Sequence, residues 1–341
     1  MIPDHSYADE FEYYEEQFDP LRTDRQARRR RKPKVRHVPK KPRSQIIAEL
    51  ADLTGLEGGF CTTYQPSRYE EGWLLSSLRA FYDDSHITDI LALIKGGKEA
   101  SVYCCEGDPS TGLDLLAAKV YRPRQFRALR NDAMYRQGRE VLLLSEMGYP
   151  VGTADGRILR AIRNKTSFGV QVQQTSWLMH EYEALACLYE AGAAVPQPIA
   201  AGENAILMSY CGDEQMAAPT LNEVSLEPGE ATALFKEVLH NIEMMLHHGL
   251  IHGDLSAYNI LYWAGEITII DFPQVTKVHI NRHAHAFLER DIRRVCEYFA
   301  REGVPCDPGA ITDEFAARYG VEPNDLTADG FELLYLSDQE P

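Results

Sequence analysis

Residues 252–274 read HGDLSAYNILYWAGEITIIDFPQ. The apolar run ILYW (260–263) and the run EITII (266–270) flank Ala264-Gly265, which predicts a β-hairpin closed by a two-residue turn. With that turn, Asn259 falls opposite Ile270 and Tyr258 opposite Asp271. Directly opposed residues lie about 5 Å apart, so Asn259 and Asp271 meet at the open end of the hairpin. Asp254 sits five residues upstream, on the loop that feeds it. Two carboxylates and an amide beside an apolar hairpin are costly to bury without a purpose. Hard oxygen ligands of this kind suit Mg²⁺, which takes one or two carboxylates and completes its shell with phosphates and water. Asp254 is then left to accept a proton from a hydroxyl. Asp-x4-Asn followed by Asp is the arrangement that phosphoryl transfer by kinases requires. A hairpin with polar ends and a loop Asp is the plain alternative, and it needs the whole string to coincide.

The phosphate side belongs in the first half of the chain. KGGKEASVY (95–103) is a Gly-rich turn between two strand-like runs, and backbone N–H groups there would cradle phosphates. Taken alone, the motif is weak, and an ordinary hairpin turn is the better reading. Lys119 lies in LLAAKVY (115–121), an apolar strand in which a lone ammonium requires a partner. Glu181, on a helix predicted over 176–192 with Ser176 as N-cap and Gly192 as its stop, is the natural candidate. A solvated helix glutamate is the plain alternative, and the sequence by itself favours it.

The 341 residues carry 44% hydrophobic and 25% charged side chains, the balance of a soluble globular protein. No run of 18 apolar residues occurs, so no membrane span is expected. Seven cysteines without a CxxC pair, behind an acidic N-terminus unlike a signal peptide, point to reduced thiols in a cytoplasm. The charge of −16 is uneven. Residues 1–20 hold seven acids and no Lys or Arg, and residues 21–43 hold twelve Lys or Arg against one Asp. The first 43 residues therefore sum to +4 and the other 298 to −20. A body that acidic is a poor general nucleic-acid binder. The arm 21–43 reads as a disordered charged tail, or as a segment for RNA.

Outward from the hairpin, EATALFKEVLHNIEMMLHHG (230–249) and EEGWLLSSLRAFYDD (70–84) space their apolar residues as amphipathic helices. Residues 87–123 and AILMSYCG (205–212) read as strands. The expected organisation is a disordered arm over 1–45 and a helical extension over 46–86. A sheet-rich lobe over 87–208, with a flexible insertion at about 124–170, comes next. The last part, 209–341, holds helices, the hairpin and a C-terminal tail. This is a bilobal α+β plan. His279, His283 and His285 are better read as ordinary histidines than as a metal site, because no Cys or carboxylate completes a ligand set. His247 and His248 suit the end of a helix dipole.

These motifs, in this order, resemble the RIO family of atypical serine/threonine kinases over about residues 87–303. GGKEASVY resembles the family's phosphate loop, AAKVY its lysine strand, HEYEAL the helix with the glutamate, and MSYCG the hinge. HGDLSAYN resembles the catalytic loop, IIDFPQ the metal segment, and AFLERDIRRVCEYFAREGV the helix that follows. The resemblance implies a kinase-like fold with a β-rich N-lobe and a reduced helical C-lobe, using ATP with Mg²⁺ or Mn²⁺. It implies that Lys119 contacts the α- and β-phosphates, held by Glu181. It makes Asp254 the base, Asn259 and Asp271 the metal ligands, Gly97, Lys98 and Ser101 phosphate contacts, and Met208 and Tyr210 the hinge lining. Gly253 stands where ordinary kinases commonly have Arg, Pro273 follows Phe272 in the metal segment, and only sixteen residues separate Asp271 from Phe287. The usual phosphate-sensing switch and peptide platform are therefore missing, as in the family. DLSAYN and KEASVY are similar to the Rio-one branch, and DFPQ to the Rio-two branch.

The leading expectation is a kinase acting on a protein hydroxyl, itself included, with an unnamed protein substrate. A second is a small-molecule kinase of the aminoglycoside type, which shares HGDL…N…D but typically has His at the place of Ser256 and lacks GKEASVY. A third is an ATP-driven switch in ribosome or ribonucleoprotein assembly, in which Asp271 accepts the phosphoryl group and the arm 21–43 contacts RNA.

Overall fold

A computed structural model describes residues 62–97, 100–122 and 167–322. The arm, Lys98 and nearly all of the 124–170 insertion lie outside those residues.

The first element, α1 (Arg68–Asp83), starts where Ser67 and Glu70 form a capping box. Leu74, Leu78 and Phe81, spaced four and three apart, are buried on one side, the stripe expected of an amphipathic helix. They face a five-stranded antiparallel sheet of order β1-β2-β3-β5-β4. Its strands are β1 (Ile87–Gly96), β2 (Ala100–Gly107), β3 (Leu115–Tyr121), β4 (Pro198–Ala201) and β5 (Ala205–Ser209). The register sets Lys119 opposite Val102 on one side and Ile206 on the other. Side chains alternate across a strand, so Ala117, Lys119 and Tyr121 share one face with Ile206 and Met208. Ala118 and Val120 turn to the other face, into the core beneath α1. The helix α2 (Ser167–Glu190) covers the Lys119 face, where Leu178 packs with Tyr121 and Ile206. It begins nine residues before Ser176, which is therefore not its N-cap; Gly192 follows its end at φ 82°.

The second half is helical. The helices α3 (Pro228–His247), α4 (Ala284–Arg301) and α5 (Pro308–Tyr319) enclose a core that includes Val238, Leu255, Ile269, Phe287 and Phe299. The short pair β6 (Leu250–Ile251) and β9 (Thr276–Lys277) lies beside the hairpin strands β7 (Ile260–Trp263) and β8 (Glu266–Ile269). The hairpin has the expected register, with Ile260 opposite Ile269 and Trp263 opposite Glu266. Ala264 and Gly265 both have positive φ, 51° and 90°, the requirement of the turn whose twist matches the strands. Two backbone bonds anchor the hairpin to the rest: Tyr262 N–H to the Pro219 carbonyl at 2.9 Å and Ile269 N–H to the Ala194 carbonyl at 2.7 Å. Met208 packs against both this core and the cluster on the Lys119 face, so it sits where the two halves meet. Among the described residues no helix is long and apolar enough to cross a membrane.

Phe299 is fully buried and its ring lies 5.2 Å from that of Phe235. Phe299→Ala is expected to destabilise the protein by about 3–5 kcal/mol, the loss of burial plus a cavity, read as a lowered midpoint in urea at unchanged slope.

Candidate active site

Lys119 is held in an apolar strand, yet its ammonium is doubly paired. Nζ lies 2.5 Å from Oε1 of Glu181 and 2.5 Å from Oδ1 of Asp271. Burial pulls the ammonium down, but Asp271 and then Glu181 outweigh it and hold Lys119 well above the usual lysine range. Tyr121, two residues along on the same face, donates its hydroxyl to Oε2 of Glu181. Glu181 thus has each oxygen fixed by a different residue of one strand, which leaves the carboxylate little freedom to turn. Burial raises the Tyr121 hydroxyl well above its ordinary value, and the charge of Glu181 adds to that, so it stays a donor.

Asp271 follows β8 with φ at 75°, a left-handed conformation rare for a residue with a side chain. Burial raises its carboxyl, but Lys119 wins and brings it below the usual carboxylate range. Some 40% of the side chain remains open to solvent. Across the hairpin mouth, Ile270 N–H donates to the Asn259 carbonyl at 2.9 Å, which places Asn259 and Asp271 on adjoining positions as the hairpin predicted. Asn259 Nδ2 donates to the Asp254 carbonyl at 2.8 Å. A carbonyl can only accept, so the amide is oriented with Oδ1 outward. Oδ1 of Asn259 and Oδ2 of Asp271 accept nothing among the described residues, and these two hard oxygens fit a Mg²⁺ ion completed by phosphate and water. No group of three His, Cys, Asp or Glu forms a competing metal site among the described residues, and His279, His283 and His285 do not assemble one.

The loop carrying Asp254 is fixed from two directions. His252, buried, donates Nε2–H to the Ile270 carbonyl at 3.1 Å and accepts Asp254 N–H at Nδ1 at 3.3 Å, which fixes its tautomer. From α4, Asp291 takes Gly253 N–H at 2.8 Å on one oxygen and Leu255 N–H at 3.0 Å on the other. Arg290 donates to the Gly253 carbonyl. Asp254 itself receives Nη1 of Arg294 on Oδ1 at 2.7 Å. Gly253 has φ 79°, and a Cβ there would meet the Gln274 carbonyl oxygen at 2.5 Å. No side chain fits at 253, which explains why the arginine of ordinary kinases has no counterpart. Sequence reading missed Arg290, Asp291 and Arg294. The available signal was charge at 290, 291 and 294 inside a helix whose Phe287, Leu288, Ile292 and Val295 are buried.

The phosphate and hinge residues are placed less uniformly. Gly97 packs so closely that a Cβ would come 2.6 Å from the Ala100 carbonyl oxygen. Ser101 corrects an expectation. It pairs with Val120, one register position from Lys119, so its hydroxyl lies on the opposite face, where it is buried and accepts from Arg122 at 3.4 Å. A nucleotide on the Lys119 face meets Ser101 through its backbone only. Met208 lies on the Lys119 face, and Tyr210 follows β5 with burial pushing its hydroxyl up to about 12. His180, next to Glu181, donates to the Val275 carbonyl at 3.3 Å and so ties α2 to the segment after Asp271.

The family model described as the RIO domain matches residues 155–311. Among similar proteins, the RIO-type serine/threonine-protein kinase Rio1 of Haloferax volcanii is 31% identical over 229 residues, 67% of this chain and 69% of that protein. The serine/threonine-protein kinases rio1 of Schizosaccharomyces pombe and RIO1 of Homo sapiens are 35% and 28% identical, each over 64% of this chain. The alignments span only 40% and 34% of those two longer proteins. Among solved structures, the Rio2 kinase–ADP/Mg²⁺–phosphoaspartate complex of Chaetomium thermophilum matches with a TM-score of 0.50 at 21% identity, over 80% of this chain and 74% of that one. That likeness shows the same kinase-like α+β fold.

Burial pushes the Asp291 carboxyl up to about 6, and Arg290, His252 and the Gly253 N–H hold it down only in part. Its folded pKa is raised, so its contribution to stability is complete below pH 3.8 and is lost as pH rises through about 6. Comparing wild type with Asp291→Asn in urea from pH 4 to pH 7, the stability difference is expected to move against wild type by roughly 2–3 kcal/mol. A pH-independent difference would contradict this reading.

Proposed function

This chain belongs to the RIO family of atypical serine/threonine kinases, and on that premise we propose that it transfers the γ-phosphate of ATP to a protein hydroxyl, its own hydroxyls included. The observation that carries the reading is the double pairing of Lys119 with Glu181 and Asp271, beside a loop that presents Asp254 and Asn259. In this site Lys119 binds the α- and β-phosphates while Glu181, clamped by Tyr121, keeps it in place. Asn259 Oδ1 and Asp271 hold Mg²⁺, or Mn²⁺ with the same oxygen preference. The metal supplies charge neutralisation for the phosphates when bound. Gly97 lets the backbone approach the phosphates closely, Lys98 follows it in the sequence as a further phosphate contact, and Met208 and Tyr210 line the adenine end. Asp254 accepts the proton of the attacking hydroxyl, and ADP leaves.

The fold restricts the protein substrate in one respect. Between Asp271 and the start of α4 at Ala284 the chain makes only the short β9, so no extended platform for a peptide forms there. The acceptor residue is therefore presented by the surface of a folded partner or by another part of this chain. The arm 21–43, with its twelve cations, suits RNA or a ribosomal particle, and the reduced cysteines suit the cytoplasm. Both statements are supported by composition alone.

Asp271 also offers a second reading, an ATP-driven switch. Its carboxylate is partly open to solvent, and attack on the γ-phosphorus with loss of ADP would give an acyl phosphate that water later cleaves. The related Rio2 complex is named as a phosphoaspartate.

Incubation with labelled ATP and Mg²⁺ tests both. Transfer to serine or threonine is expected, with Asp254→Ala and Lys119→Ala each lowering the rate about 10²–10⁴-fold. Unchanged transfer in Asp254→Ala removes the assigned base. Label that hydroxylamine releases and that disappears in Asp271→Asn identifies the switch instead.

A further inference from the structure

Arg294 lies one helical turn beyond Asp291 on α4 and donates Nη1 to Oδ1 of Asp254 at 2.7 Å. An exposed ion pair contributes about 0–1 kcal/mol and needs no function. Three observations set this pair apart. The loop 252–259 contains no Lys or Arg of its own, and Lys119 is already taken up by Glu181 and Asp271. Among the described residues, Arg294 is the guanidinium that reaches the base. Its helix buries Phe287, Leu288, Ile292 and Val295 in the core, and the same turn supplies the carboxylate that grips the backbone on both sides of Asp254. Finally, of the two oxygens of Asp254, Arg294 meets Oδ1. Oδ2 of Asp254 accepts nothing among the described residues, and the side chain is 37% exposed, so that oxygen is reachable from outside.

We propose that Arg294 is a positioning residue for phosphoryl transfer: it pins Oδ1 of Asp254 and thereby directs Oδ2 at the incoming hydroxyl. The hydroxyl oxygen attacks the γ-phosphorus, its proton passes to Oδ2, and the bond to ADP breaks. Asp291 fixes where the loop runs; Arg294 fixes the rotation of the carboxylate on it. The inference rests on Asp254 being the base. A misplacement of about 1 Å in such a group costs about a hundredfold in rate, which is the scale on which a rotation-setting contact acts.

The full-length chain is assayed with ATP and Mg²⁺ as wild type, Asp254→Ala, Arg294→Ala, Arg294→Lys and Arg301→Ala. Arg301 is on the same helix and donates to the Glu297 carbonyl of its own helix, away from Asp254. Arg294→Ala is expected to lose about 10- to 100-fold in kcat while its KM for ATP stays within about twofold. Arg294→Lys should recover a large part of the loss, since an ammonium still donates to Oδ1 without the planar fork. Arg301→Ala should equal wild type, and melting temperatures should agree within about 2 °C, because the pair contributes little to stability. A rate in Arg294→Ala at or above wild type overturns the proposal, as does a change confined to KM. Equal losses in both Arg294 variants with lowered melting temperatures assign the residue to structure and overturn it too. A wild type without transfer, or an Asp254→Ala variant as active as wild type, fails the kinase reading itself and is recognised before any Arg294 variant is compared.

Discussion

One ammonium organises this molecule. Lys119 projects from the sheet, Glu181 from the helix beside it, and Asp271 from the hairpin end, 152 residues further along. A buried charge that loses one partner costs about 3–5 kcal/mol, so none of the three can be displaced independently. The sheet, the covering helix and the hairpin therefore meet at this ammonium. Tyr121 contributes a second constraint from the same strand, since it occupies the oxygen of Glu181 that Lys119 leaves.

The loop with Asp254 depends on a different principle. Its geometry is dictated from outside, by three charged residues within one turn of α4. Arg290 takes a carbonyl, Asp291 takes two N–H groups and Arg294 takes the carboxylate. A backbone loop satisfied in this way needs little sequence of its own beyond glycine at 253. The burden of precision falls on the helix, whose Phe287, Ile292 and Phe299 sit in the core.

Much of this was legible in the sequence because it is local or periodic. The hairpin register follows from a two-residue turn and period-two alternation, and the structure reproduces it residue for residue. Lys119 could be marked as needing a carboxylate because it lies in LLAAKVY, whereas Glu181 by itself reads as a solvated helix residue and is joined to it through the family resemblance. The contacts of α4 were not legible. They join residues 36 to 40 apart, and helical periodicity reports which face is buried without saying which charges stay inside. Ser101 shows a local failure. A phosphate-loop motif drew attention to the residue, but strand alternation turns its hydroxyl away from the face that carries Lys119. Ser176 likewise looks like a cap, yet SFGVQVQQT (167–175) before it already runs as helix.

The packing at Gly253 has a consequence for timing. Ordinary kinases wait for a phosphate to draw their activation segment onto a loop arginine. Here the Gln274 carbonyl fills the place where that side chain would begin, and α4 starts thirteen residues after Asp271. At this loop the arginine that would wait is absent, and Arg290 and Asp291 of α4 hold its backbone in the unphosphorylated chain.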